Sequence, residues 1–151
     1  MCVRRSFMMA CAFGLLVATG VAFAAGKPED AAQSAAESWL KLLDGGNYSG
    51  SWDQAAKVLK GAYKQSDWNH TAAAERTPLG NLVSRRLKSR EYTEKAPTTR
   101  VIGGKVYTLG SGKYVVIEYD SAFAKKASVV ETVVAMADPD GAWRVSAYSI
   151  R

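Results

Sequence analysis

At Leu79-Gly80 the spacing of apolar residues changes from every third or fourth position to every second, and it does not change back. Helical stripes and strand faces bury themselves differently, so a chain with helices first and strands afterwards is expected to be α+β, with its helices on one face of a mostly antiparallel sheet. Before the change, Ala32, Ala35, Ala36, Trp39, Leu40 and Leu43 make one apolar stripe in a segment that opens at Pro28 and is ended by Gly45 and Gly46. A second helix is expected after Asn47, with Trp52, Ala55, Ala56 and Leu59 spaced alike. A third takes Ser66 as its N-cap and stops near Arg76, because Thr77 precedes Pro78.

After the change, Val83, Arg85, Leu87 and Ser89 are expected to face one way along a first strand, and Ser84, Arg86, Lys88 and Arg90 the other. Residues 93–112 hold Pro97, Gly103, Gly104, Gly110 and Gly112 and read as a long connection with a short strand at Lys105 to Leu109. Three further strands are expected at Tyr114 to Phe123, Ser128 to Ala137 and Ala142 to Ile150, so that three helices cover one face of a curved four-stranded sheet. Asp138-Pro139-Asp140-Gly141 places Pro where φ near −65° is wanted and Gly where φ must be positive, which makes the last two strands a hairpin. Pairing Ala137 with Ala142 sets Met136 opposite Trp143, Val134 opposite Val145 and Thr132 opposite Ala147. Pairing Phe123 with Ser128 adds Val115, Ile117 and Tyr119 to that apolar face. The opposite, half-wet face then collects Glu118, Asp120, Glu131, Arg144, Ser146 and Tyr148 among Val116, Val129, Val133 and Ile150.

The first residues have another purpose. Arg4 and Arg5 precede an uncharged run from Phe7 to Ala22, and Ala22-Phe23-Ala24 supplies the small-x-small pattern of a cleavable secretory signal. The run is too short for a comfortable membrane span of about 20 residues, and charged Lys27, Glu29 and Asp30 follow at once. With cleavage after Ala24, 151 residues less 24 leaves 127, the size of one domain, expected in the periplasm or secreted and without membrane insertion. Cys2 and Cys11 leave with the signal, so no disulfide or thiol nucleophile remains. The 20 basic residues less Arg4 and Arg5, against 14 acidic ones, give about +4. That charge is not gathered with stacking aromatics into a stripe, so nucleic acid is not an expected partner.

Arg85 breaks the apolar pattern of its strand. If Val83 and Leu87 face the helices, so does Arg85, and a buried guanidinium requires an internal carboxylate, helix-end carbonyls or a bound anion. A pocket between helices and sheet would be lined by Arg85, Trp68, Arg76, Tyr119 and Thr132, although Arg76 in a last helical turn also reads as a simple cap, and the four tryptophans as core. His70 is the lone histidine, and no serine–histidine–acid signature or phosphate-loop context surrounds it or the glycine pairs, so neither metal nor cofactor is expected. Asp120 and Glu131 fall nearly opposite each other in the proposed register, a carboxylate pair in form, but on the wet face where like charges repel.

Ser51-Trp52-Asp53, Arg76-x-Pro78-Leu79-Gly80, Ser84-Arg85, Glu131-Thr132-Val133 and Gly141-x-Trp143-Arg144-Val145 together resemble the family called domain of unknown function 4019, over about Ala31 to Arg151. The resemblance implies small exported bacterial proteins with a cystatin-like or nuclear-transport-factor-2-like α+β cone. It brings no activity and no catalytic residue.

The reading that follows is a non-enzymatic exported module that binds a partner protein or small ligand. Its expected contact face carries Glu131, Tyr148, Arg144 and Val133, with a symmetric homodimer through the sheet as one form. The other reading is an enzyme or carrier that uses the space between helices and sheet. N-terminal sequencing of the exported protein is expected to begin at Ala25; a chain that retains Met1 would remove the cleavable signal.

Overall fold

The computed structural model describes residues 26–100, 104 and 106–151, and the signal segment lies outside the described residues. Helix α1 runs from Pro28 to Asp44, with Pro at its start, where a missing N–H costs nothing, and Glu29 and Asp30 in the first turn to complement the helix dipole. Gly46, at φ +72°, turns the chain out of the helix, and the Asn47 amide donates back to the Leu42 carbonyl at 2.8 Å. Asn47 then caps α2 (Tyr48–Asp53) by accepting from the Gly50 amide at 3.0 Å.

The second helix expected from the spacing is two helices, α2 and α3 (Lys57–Ala62). The break has a backbone cause: the Ala56 amide donates to the Val145 carbonyl of the sheet at 2.8 Å, and an amide so engaged is not available to a helix. Helix α4 spans Gln65–Arg76, two residues earlier than the Ser66 cap implies, and a 3-10 turn at Thr77–Leu79 absorbs Pro78. Among the described residues no helix is long and apolar enough to cross a membrane.

Four antiparallel strands form one open sheet in the order β1 (Leu82–Thr93), β4 (Tyr114–Phe123), β5 (Lys126–Ala137) and β6 (Trp143–Ile150). Two short strands, β2 (Thr98–Arg100) and β3 (Val106–Thr108), pair as a separate hairpin within the connection, where the sequence predicts a single strand. The fold is α+β, and α1 touches all four strands of the main sheet.

The expected register fails at both hairpins, by two residues at the first turn and by one beyond its bulge, and by one and then two at the second. Phe123 pairs with Lys126 across a two-residue turn, and Ile117 with Val133, so Tyr119 stands opposite Glu131. At the second hairpin Gly141 adopts φ +82° and its amide closes the turn onto the Asp138 carbonyl at 2.8 Å, as the Pro and Gly positions predict. The positive-φ glycine takes up one extra residue, so Trp143 pairs with Ala137 rather than Met136, and a second irregularity between Val134 and Ala135 sets Tyr148 opposite Val133. A one-residue slip turns a strand over. Glu131, Val133, Val129 and Tyr148, expected on the outer face, therefore lie beneath the helices with Val115, Ile117 and Tyr119, whereas Thr132 faces away from them.

The main core joins Trp39, Leu40 and Leu43 of α1, Leu59, Tyr63, and Trp68 to Ile117, Val133, Val145 and Tyr148. Trp39 sits between Trp68 (ring centroids 5.8 Å apart) and Tyr148 (5.5 Å), and Tyr63 stands edge-on to Trp68 at 5.6 Å. Ser51 resolves the polar ends of two tryptophans at once. Its carbonyl accepts from Trp39 Nε1 at 2.7 Å, its hydroxyl accepts from Trp68 Nε1 at 2.9 Å, and that hydroxyl donates to the Tyr48 carbonyl at 2.7 Å. Truncation of Trp39 to Ala is expected to cost about 3–5 kcal/mol in urea unfolding, whereas Val83→Ala, 69% exposed, should stay within about 0.5 kcal/mol of the parent.

Candidate functional site

Arg85 does point at the helices, and there it meets an arginine from α4 and two carboxylates. Asp44 ends α1, Arg76 ends α4, Arg85 lies on β1 and Glu131 on β5. Arg85 donates from Nε to Glu131 Oε2 at 2.6 Å and from Nη1 to Asp44 Oδ2 at 2.7 Å, with Nη2 bridging both acids at 3.0 and 3.1 Å. Arg76 donates from Nη1 to Glu131 Oε1 at 2.8 Å and from Nη2 to Asp44 Oδ1. Its guanidinium also lies over the Phe123 ring, 4.5 Å from the centroid. Of the three partners open to Arg85, internal carboxylates are the ones observed.

Hydroxyls complete the cluster. Ser121 of β4 donates to Glu131 Oε2 at 2.5 Å, and Tyr148 of β6 donates to Oε1 at 2.6 Å while accepting from Arg76 Nη1 at 3.0 Å. Glu131 thus receives five hydrogen bonds on a carboxylate with no solvent exposure. Burial alone pushes its pKa up, but the hydrogen bonds and charge of Arg85, with Ser121 and Tyr148, outweigh it and hold the carboxyl below its ordinary 4.5. Burial, and then the Glu131 charge, push the Tyr148 hydroxyl well above its ordinary range, so it remains a donor.

Two cations and two anions balance, and six hydrogen bonds run from the two arginines to the two carboxylates. The arrangement joins the ends of two helices to all four strands of the main sheet. Asp120 points away from Glu131, since Asp120 pairs with Val130 and is exposed, so the two carboxylates that the expected register sets nearly opposite each other are not paired. Among the described residues no group of three or more His, Cys, Asp or Glu is placed to hold a metal ion.

The remaining candidates separate. Trp68 is core, bonded to Ser51 rather than walling a pocket. Tyr119 lies under the helices and Thr132 on the opposite face; the Tyr119 hydroxyl and Thr132 Oγ1 are both buried without a hydrogen-bond partner among the described residues. Arg76, read as a helix-end cap, is 5% exposed and belongs to the cluster. Of the four residues expected on a contact face, Glu131, Tyr148 and Val133 are fully buried. Arg144 is half-buried and braces the hairpin turn, reaching Asp138 at 2.9 Å and Asp140 at 2.8 Å.

Asp44 is the member that sequence reasoning misses. Its signal is an acid at the negative end of a helix dipole, an unfavourable place that asks for a cationic partner.

Fold and cluster together define a small α+β domain organised around a neutral buried ion cluster. The chain belongs to the family described as protein of unknown function (DUF4019), whose profile matches residues 35–148. No curated protein and no solved structure matches it.

Because the folded pKa of Glu131 is depressed, the stability it contributes is complete above its ordinary value of 4.5 and is lost as pH falls through the lowered folded value. Urea unfolding between pH 7 and 3 is expected to show this loss. Glu131→Gln should destabilise by about 3–5 kcal/mol at pH 7, by leaving two buried guanidinium groups against one carboxylate, and should flatten the acid limb. Thr132→Val, which removes a buried hydroxyl with no partner, should be neutral or stabilising.

Proposed function

We propose that this protein is a non-enzymatic, exported single-domain module that acts by binding another protein through its surface. The observation that carries the reading is the self-sufficiency of the interior. The groups with chemical potential, Arg76, Arg85, Asp44 and Glu131, are neutralised by one another, and Glu131 has its carboxylate oxygens fully engaged. Tyr63, Trp39, Trp68 and Tyr148 occupy the space between helices and sheet where an enzyme or carrier would hold its ligand. That leaves the alternative reading with little room. Export rests on the leader pattern at Arg4 to Ala24. The helical layer across a four-stranded sheet is compatible with the cystatin-like or nuclear-transport-factor-2-like cone, a fold class that hosts binding as readily as catalysis.

A small-ligand form of the same reading has one observation in its favour. An open depression of about 610 Å³ on the sheet is lined by Ser84, Arg86, Asp120 and Ser128, with Arg85 and Ser121 of the ion cluster also at its wall, a polar surface suited to a hydrophilic ligand.

Crosslinking inside the cells that make the protein tests the reading. The expected product is a discrete adduct, either with one other exported protein or at twice the chain mass for self-association. Recovery of the chain only as an uncrosslinked monomer would overturn it.

A further inference from the structure

The two edges of the sheet are treated differently. The β6 edge is covered: the Ala56 amide bonds the Val145 carbonyl, α3 packs on β6, and β2 touches it. Strand β1 is the other edge, and among the described residues no backbone hydrogen bond reaches it from the side away from β4. All of its twelve residues except Leu82, Arg85, Tyr92 and Thr93 are exposed. The exposed large apolar side chains of the described residues, Val83 at 69% and Leu87 at 42%, both lie on it. A long edge with unpaired N–H and C=O groups and apolar side chains in water is a template for another strand.

We infer that β1 accepts an extended, acidic segment of a partner protein as a fifth strand of the sheet, with an acidic side chain placed against Arg86. This rests on the reading of the domain as a protein-binding module and names the surface and the kind of partner. The charge on the strand selects the occupant. Arg86 is exposed and makes no ion pair among the described residues, and Lys88 reaches Glu118 and Asp120 only at 3.8 and 4.0 Å.

A second copy of this chain is a poor occupant. Antiparallel pairing of two β1 strands lays the basic run Arg85-Arg86-x-Lys88-x-Arg90 of one alongside that of the other, and like charges across a ladder repel. Bulges at Val83 and Lys88, where one β1 residue is extra relative to β4, also twist the edge away from flat self-association. They leave Ser84 to Leu87 and Ser89 to Thr93 regular.

The outer face beside β1 supplies places for side chains of the added strand. The 610 Å³ depression adjoins Ser84 and Arg86, and a second of about 300 Å³ adjoins Glu91, Thr93, Ala96 and Val116 further along. From Ser84 to Thr93 an extended chain covers roughly 30 Å, so a segment of about eight to ten residues spans both. In strand addition the main chain supplies affinity and such pockets supply selectivity. The partner sequence is therefore expected to alternate, with apolar residues on the side of Leu87 and Asp or Glu on the side of Arg86.

A displayed library of random linear peptides, selected on the purified protein, tests this. Enriched peptides are expected to alternate apolar with acidic residues, to bind at least tenfold more weakly to Arg86→Glu and to Leu87→Lys, and to slow hydrogen exchange of β1 amides. Both variants alter exposed side chains, and unchanged thermal unfolding will show that they remain folded. The inference is overturned if no linear peptide enriches, or if those that do bind Arg86→Glu equally and leave β1 amides unprotected. Neither result touches the broader reading, which stands or falls on the crosslinked adduct.

Discussion

Two guanidinium groups buried under a helical layer must be neutralised where they lie, and the rest of this fold is arranged so that they are. Desolvation of an unpaired charge costs several kcal/mol, more than most single contacts return. Arg76 and Arg85 therefore require both Asp44 and Glu131, and those four residues come from the ends of two helices and from two strands far apart in sequence. Ser121 and Tyr148 bring in the remaining two strands of the sheet. A register slip of one residue in β5 would carry Glu131 to the opposite face and leave two cations with one partner. The cluster thus acts less as a source of net stability than as a condition that one arrangement of the sheet satisfies and its near neighbours do not.

That condition also explains what can be read from the chain and what cannot. The helix of Pro28 to Asp44 is legible because its apolar stripe is regular and its ends carry proline and glycine signals. Strand β4 is legible because its inward positions alternate clearly with Glu118 and Asp120. Strand β5 is not. Val133, Val134 and Ala135 are all buried, so both faces are apolar at its centre and alternation cannot say which face is inside. Turn chemistry identifies the hairpin at Pro139 and Gly141, yet the extra residue taken up by the glycine moves the register by one, and the irregularity beyond it by one more. Arg85 is recognisable as an inward charge from strand parity alone. Its partners are not, because Asp44 has no periodic signal and Glu131 is assigned to the wrong face.

The same internal neutrality shapes what the surface has to offer. On the proposed reading, recognition falls to groups that take no part in the cluster, such as Arg86, Lys88 and Leu87 of the edge strand, which are exposed. A sheet held by these ion pairs suits the proposed strand addition, since β1 is anchored from behind through Arg85. Neighbouring residues of β1 thus divide their work, one facing the interior and the next facing out.

The chain order of the cluster has a consequence for how the protein acquires its shape. Asp44, Arg76 and Arg85 are all synthesised before β4 begins, whereas Glu131 arrives only in the final quarter of the sequence. Until then the helical half carries one more cation than it can bury, and its stripes have no floor to rest on. The helices must wait as loosely associated segments for the last hairpin, so the whole domain is expected to assemble in one late, cooperative step rather than from its N-terminal end.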